Sequence, residues 1–137
     1  MDSRDERKTF KRTPEESGID PRLWDFADRL VAQSRVVVDR PRGSRHPRYP
    51  AYVYPLDYGY LDGTTAMDGG GIDVWQGSLS EKRVTGIILT IDRLKRDAEL
   101  KLLVGCTAAE VDTALSAHQA ESQVALLIPR AAERQQT

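Results

Sequence analysis

The apolar residues of this chain occur in short runs that glycine, proline and aspartate separate. Short apolar runs rich in β-branched residues predict strands, and the glycines and prolines between them predict turns. Because an open sheet of short strands leaves unpaired edges, we expect these strands to close into a small β-barrel. The predicted strands are residues 35–40, 72–78, 84–91, 99–104 and 124–128.

Two helices are predicted beside the strands. Asp20 is a suitable N-cap, Pro21 suits the first helical position, and the apolar residues that follow repeat at helical spacing. Thr107 and Glu110 form a T-x-x-E capping box, which predicts a second helix that ends near His118. The expected fold class is therefore mainly β with flanking helices (α+β).

The length of 137 residues favours a single domain. We place it at residues 19–130. Residues 1–18 are polar and carry charges of both signs, so they predict a mobile tail, and residues 131–137 predict a frayed end.

The composition excludes several classes of protein. The mean hydropathy is −0.51, and no apolar run approaches the roughly 18 residues that a membrane span needs. The start of the chain lacks the apolar segment of an export signal. Cys106 is the only cysteine, which excludes an internal disulfide. A cytoplasmic location is expected.

Carboxylates occur in two pairs with the same spacing. Asp68 and Asp73 enclose three consecutive glycines, which free the backbone so that both side chains can converge on one point. Asp92 and Asp97 enclose a predicted hairpin turn, with Glu99 nearby. Each aspartate could instead accept hydrogen bonds within its own turn. Two oxygen-rich pairs without a cysteine or histidine cluster favour Mg²⁺ over zinc.

Arginines are concentrated just before the glycine segment. The net charge of the chain is −1, but residues 35–48 contain five arginines and one aspartate, so their local charge is about +4. The planar guanidinium group binds two phosphate oxygens at once. Such arginines could also be ordinary solvated surface. Next to a metal-binding cluster, they favour metal-assisted transfer of a phosphoryl group to water.

The sequence Y-P-L-D-Y-G-Y begins at Tyr54 and is followed by D-x-x-x-x-D and, about twenty residues later, by a second D-x-x-x-x-D. This ordered combination, over residues 35–104, resembles the family I soluble inorganic pyrophosphatases. The resemblance implies a small five-stranded OB-like β-barrel and hydrolysis of pyrophosphate to two phosphates with Mg²⁺. It also implies a cytoplasmic location and assembly into a homo-oligomer.

The resemblance assigns roles to individual residues, with a metal-bound water as the nucleophile. The implied metal ligands are Asp68, Asp73, Asp92 and Asp97. The implied catalytic residues are Asp73, Tyr58 and Arg45, with His46 and Arg48 as alternative counterparts to Arg45. The implied phosphate-binding residues are Arg35, Arg45, Arg48, Tyr58 and Lys101.

Several positions depart from the pattern of that family. Gly70 stands where the motif D-G-D-x-x-D has the aspartate that helps to deprotonate the attacking water. Arg35 replaces a lysine and Val37 replaces a glutamate. Glu99 replaces the lysine of the motif D-x-K, and Lys101 follows two residues later. Because a general base contributes about 10²–10⁴-fold to a rate, we expect an activity that is reduced or altered rather than lost.

Three functions are compatible with these residues. The first is hydrolysis of pyrophosphate. The second is hydrolysis of an organic pyrophosphate or a nucleotide, for which Gly70 and Val37 would leave space. The third is a non-catalytic phosphate- or nucleic-acid-binding module, with Tyr49, Tyr52 and Tyr54 for base stacking. Because the carboxylates would repel a nucleic-acid backbone, nucleic acid is not an expected partner. No membrane partner is expected either, because no apolar run is long enough to span one.

Overall fold

The computed structural model describes residues 18–131. The predicted tails, apart from residues 18 and 131, lie outside the described residues. The described chain forms two helices, α1 and α2, and six strands, β1 to β6. The helices are α1 (Arg22–Ala32) and α2 (Ala108–Ala117). The strands are β1 (Val36–Arg40), β2 (Asp57–Leu61), β3 (Ile72–Gln76), β4 (Val84–Asp92), β5 (Asp97–Val104) and β6 (Gln123–Pro129).

The six strands form one mixed sheet in the order β1-β2-β3-β5-β4-β6. Strands β3 and β5 are parallel, and the other neighbouring pairs are antiparallel. The prediction of a mainly β protein with flanking helices is confirmed. The predicted five-stranded closed barrel is not found in the described residues. Instead, β6 pairs with β4 along its whole length, so that β1 and β6 are the two edges of an open, six-stranded sheet.

Strand β2 was not among the predicted strands. Its sequence, DYGYL, contains aspartate and glycine, which are both disfavoured in strands. Gly59 is required there because a Cβ atom at this position would lie only 1.8 Å from the carbonyl oxygen of Val37 on β1. The residue that makes the segment a poor strand former is therefore the residue that lets β1 and β2 approach each other.

Each face of the sheet packs against one helix, so the core has two clusters. On one face, Ala27 and Val31 of α1 contact a buried set made of Leu61, Val74, Val84, Ile87, Leu102 and Val104. On the opposite face, Ala114 of α2 contacts a set made of Tyr54, Leu56, Trp75, Ile88, Leu103, Cys106 and Ala125. Burial raises the pKa of the Cys106 thiol to about 11, so this side chain is a protonated core residue.

Hydrogen bonds fix both helices to the sheet. Asp28 of α1 accepts hydrogen bonds from the guanidinium of Arg130, at 2.8 and 2.9 Å, and from the backbone N–H of Val84. Helix α2 begins with the predicted capping box of Thr107 and Glu110. The carboxylate of Glu110 also accepts hydrogen bonds from Ser78, which ties the end of β3 to the start of α2.

Helix α1 leaves part of its face of the sheet uncovered. The uncovered side chains are apolar and come from the three neighbouring strands β4, β5 and β6. They are Leu89, Ile91, Leu100, Val124 and Leu126, which are 36% to 62% exposed. Exposed apolar patches of this kind are typical of interaction surfaces.

No helix within residues 18–131 has the length and apolar character needed to cross a membrane.

Candidate functional site

A cavity of about 550 Å³ lies between the glycine-rich segment and the β4–β5 hairpin. Four carboxylates line it: Asp68, Asp73, Asp97 and Glu99. Arg96 contributes a positive charge, and the remaining lining residues are Thr65, Ala66, Met67, Ile72, Ala98 and Leu100. Asp68 and Asp73 thus line the same cavity, but Asp68 Oδ1 accepts a hydrogen bond from the backbone N–H of Gly70 and Asp73 Oδ2 accepts one from Lys101.

The glycines of residues 69–71 shape this side of the cavity in different ways. Gly69 has a φ of 89°, in the left-handed region that favours glycine. At Gly71 a Cβ atom would lie 2.8 Å from the ring of Tyr60, so a side chain is excluded by contact. Gly70 has neither constraint, because a Cβ atom there would meet only Asp68, at 3.4 Å. An aspartate, which the pyrophosphatase motif has at this position, would therefore fit at Gly70 without a steric clash.

The second carboxylate pair is divided by the β4–β5 turn. Asp92 is buried, and its Oδ1 atom accepts hydrogen bonds from the backbone N–H groups of Leu94 and Lys95. This is the Asx-turn alternative that the sequence left open. Asp97, directly opposite Asp92 in the register of the hairpin, lines the cavity, whereas Asp92 does not.

Lys101 forms the centre of a buried polar cluster beside the cavity. Its Nζ atom donates hydrogen bonds to Tyr58 Oη at 2.8 Å, Asp73 Oδ2 at 2.9 Å and Glu99 Oε2 at 2.8 Å. The residue is only 4% exposed. Burial alone would lower the pKa of Lys101, but its three oxygen partners outweigh burial and raise this pKa, so the ammonium stays charged. Burial raises the pKa of Tyr58, which therefore stays neutral.

Lys101 is one of the predicted phosphate-binding residues. An ammonium group has three N–H donors, and in this structure each of them has a protein acceptor. No donor of Lys101 remains for a phosphate. Tyr58, also predicted to bind phosphate, accepts one of these bonds, and its ring packs against Trp75 with the ring centroids 4.7 Å apart.

The predicted phosphate-binding arginines lie outside the cavity lining. Arg35 pairs with Asp62 at 3.6 Å, and Arg45 donates to the carbonyl oxygen of Pro50 at 2.8 Å. Arg48 is exposed on the same loop as Arg45. The arginine that lines the cavity is Arg96, which the sequence reasoning did not single out. The sequence feature that could have indicated Arg96 is its position next to Asp97 in the predicted turn. In the structure, Arg96 has a positive φ of 58°.

His118 belongs to an aromatic cluster on the α2 side of the sheet. Its Nε2 atom accepts a hydrogen bond from the indole N–H of Trp75 at 2.9 Å, which requires a neutral imidazole. Burial lowers the pKa of His118 to about 4, and the nearby charge of Lys101 lowers it further, whereas Glu99 opposes the shift.

This environment predicts a loss of stability in mild acid. The unfolded chain binds a proton at His118 near pH 6.5, whereas the folded chain does so only near pH 4. The stabilisation from neutral His118 is therefore complete above pH 6.5 and is lost as the pH falls to about 4. The expected loss is about 3 kcal/mol in the free energy of unfolding. Urea unfolding between these pH values should show this slope in the wild type, and His118→Gln should flatten it; equal slopes would contradict the assignment.

Comparisons with known proteins place the fold. No protein-family model and no curated protein sequence matches this chain. Among solved structures, the inorganic pyrophosphatase from Helicobacter pylori is 15% identical with a TM-score of 0.51, over 70% of this chain and 82% of that chain. An inorganic pyrophosphatase from Neisseria gonorrhoeae is 18% identical, also with a TM-score of 0.51, over 65% of this chain and 77% of that chain. At such low identity, the similarity concerns the fold.

Proposed function

We propose that this chain hydrolyses phosphoanhydride bonds, with inorganic pyrophosphate as its substrate and Mg²⁺ as its cofactor. The observation that carries the proposal is one cavity whose lining includes four carboxylates and an arginine: Asp68, Asp73, Asp97, Glu99 and Arg96. The ordered aspartate motifs and the fold shared with two solved pyrophosphatases support the same reaction.

The donor set suits a single Mg²⁺ that arrives with its substrate. Asp68 and Asp97 are exposed carboxylates of the cavity wall, and Mg²⁺ typically binds one or two carboxylates together with substrate phosphate. Asp73 and Glu99 face Lys101 instead. Within residues 18–131, no three acidic, histidine or cysteine side chains form a preassembled metal site. When bound, Mg²⁺ would neutralise phosphate charge and lower the pKa of a coordinated water.

The remaining polar residues have separate tasks in this proposal. Arg96 binds the phosphate oxygens that face the hairpin, and Asp97, together with Asp68, would hold the Mg²⁺ that activates the attacking water. Lys101 holds Asp73 and Glu99 in place and keeps their charge from repelling the substrate. Arg35, Arg45 and Arg48 remain predicted phosphate ligands. The loop between β1 and β2, which carries Arg45 and Arg48, would have to approach the cavity.

Removing a cavity carboxylate should abolish most of the activity. We expect Asp97→Asn and Asp73→Asn to lower Mg²⁺-dependent release of phosphate from pyrophosphate about 100-fold or more. Asp97 is exposed and is not one of the three hydrogen-bond acceptors of Lys101, so Asp97→Asn should lower the activity without destabilising the fold. Asp25→Asn, at an exposed position on α1, is the matched control and should keep the wild-type rate. Phosphate release by Asp97→Asn at the wild-type rate would refute the assignment.

The apolar part of the cavity favours an organic diphosphate as the second candidate substrate. Met67, Ile72 and Leu100 line the cavity, and Leu100 continues onto the uncovered apolar face of the sheet. Inorganic pyrophosphate would gain nothing from these side chains, whereas an apolar substituent would bury against them. Phosphate release measured across inorganic, nucleoside and alkyl diphosphates decides between the two, and a clear preference for inorganic pyrophosphate would eliminate the second candidate.

The expected homo-oligomer would form through the uncovered face of β4 to β6. Leu89, Ile91, Val124 and Leu126 carry no charge, so two copies of this face could meet without opposing like charges. The cytoplasmic location stays a prediction from the sequence.

A further inference from the structure

We infer that Lys101 is a built-in cation that takes the place of a divalent metal ion between Asp73 and Glu99. Its Nζ atom lies 2.9 Å from Asp73 Oδ2 and 2.8 Å from Glu99 Oε2, and the hydroxyl of Tyr58 completes its set of acceptors at 2.8 Å. Two of the four carboxylates of the cavity wall thus already share a positive charge.

The position of Lys101 is fixed by the sheet. Asp73 on β3 and Lys101 on β5 are partners in the only parallel strand pairing among the described residues. Glu99 lies two residues before Lys101 on the same strand, so all three side chains leave the sheet on the same face. Because the side chain of Lys101 is 5% exposed, it cannot leave the carboxylates without opening this junction.

An ammonium group and a divalent ion exclude each other at this place. Mg²⁺ would lie about 2.1 Å from its carboxylate oxygens, within the space that the Nζ atom and its hydrogens occupy. At such a separation, two positive charges repel strongly in a partly buried site. The chain therefore needs fewer metal ions than a site built from carboxylates alone. This inference takes one premise from the proposed function, namely that a divalent cation binds in this cavity.

Mn²⁺ binding in the absence of substrate tests this inference. The probe is the free Mn²⁺ signal in electron paramagnetic resonance, measured on the full chain and on Lys101→Met. Loss of the ammonium should add about one Mn²⁺ site per chain and bind it about tenfold more tightly than any site of the wild type. Lys95→Met, at an exposed lysine of the β4–β5 hairpin, is the matched control and should bind as the wild type does. Equal Mn²⁺ binding by the wild type and folded Lys101→Met would overturn the inference.

A second variant and a refolding series cover the other outcomes. Glu99→Gln added to Lys101→Met removes one of the two carboxylates, and it should lose the gained Mn²⁺ site. If Lys101→Met does not fold alone, refolding that requires Mn²⁺ supports the inference, and refolding that Mn²⁺ does not improve contradicts it. Neither measurement uses turnover, so this inference and the proposed hydrolysis can fail separately.

Discussion

Gly70→Asp should accelerate the proposed Mg²⁺-dependent hydrolysis of pyrophosphate about 100-fold, because it adds a carboxylate beside Asp68 that can take a proton from the attacking water. The structure has room for it. A Cβ atom at Gly70 meets only Asp68, at the ordinary contact distance of 3.4 Å, and Gly70 lies outside the positive-φ region. The measurement is the initial rate of phosphate release at fixed Mg²⁺ concentration and pH.

Gly70→Asn is the control for this prediction. Asparagine has the size and shape of aspartate but cannot accept a proton at neutral pH, so this variant should keep the wild-type rate. A Gly70→Asp rate no higher than that of Gly70→Asn would show that a base at this position does not limit the reaction. A substitution at neighbouring Gly69 would be uninformative, since the positive φ of 89° there would strain any side chain.

The second large effect concerns folding. Lys101→Met should lower the free energy of unfolding by about 3 kcal/mol at neutral pH without divalent ions, because it leaves Asp73 and Glu99 close together without a cation. The side chains of Asp73 and Glu99 are 30% and 37% exposed. Because water screens their charges in part, we expect a loss of stability at the lower end of the range for a broken buried ion pair. Urea unfolding of the purified chain measures the change.

A triple variant separates charge from packing in this experiment. Lys101→Met combined with Asp73→Asn and Glu99→Gln removes both signs of charge and keeps similar volumes. It should recover most of the lost stability, because neutral groups are far less costly to bury than unpaired charges. If the triple variant is as unstable as Lys101→Met alone, the effect comes from the shape of the lysine side chain and not from its charge.

Local sequence signals predicted most of the helices and strands of this fold. The capping box of Thr107 and Glu110 is confirmed. The predicted start of α1 is off by one residue: Pro21 is the N-cap instead of Asp20, although Asp20 accepts a hydrogen bond from the backbone N–H of Arg22 at 2.9 Å. The five predicted strands are present, because runs such as 84–91 are apolar and β-branched. Closure into a barrel was wrong because it depends on which strands pair, and periodicity along the chain carries no information about pairing.

The candidate site shows the same division between local and long-range information. That Asp68 and Asp73 line the same cavity could be expected from the glycines between them, which are a local signal. The surroundings of Lys101 could not be expected in this way, because its contact with Asp73 depends on the pairing of β3 with β5 across 28 residues. Arg96 was missed because the orientation of its side chain depends on its positive φ of 58°. This backbone conformation is rare for residues other than glycine, and the local sequence does not predict it.

The parallel junction between β3 and β5 divides the sheet into two halves that are each continuous in sequence and internally antiparallel. One half contains β1 to β3, and the other contains β4 to β6. The cavity lies across this junction, and the bonds from Lys101 to Asp73 and Tyr58 join the two halves. Because both core clusters contain side chains from the two halves, separating the halves would open the cavity and expose the core, while both antiparallel ladders could stay paired. Amide hydrogens between β3 and β5 should then exchange with solvent together, as one event.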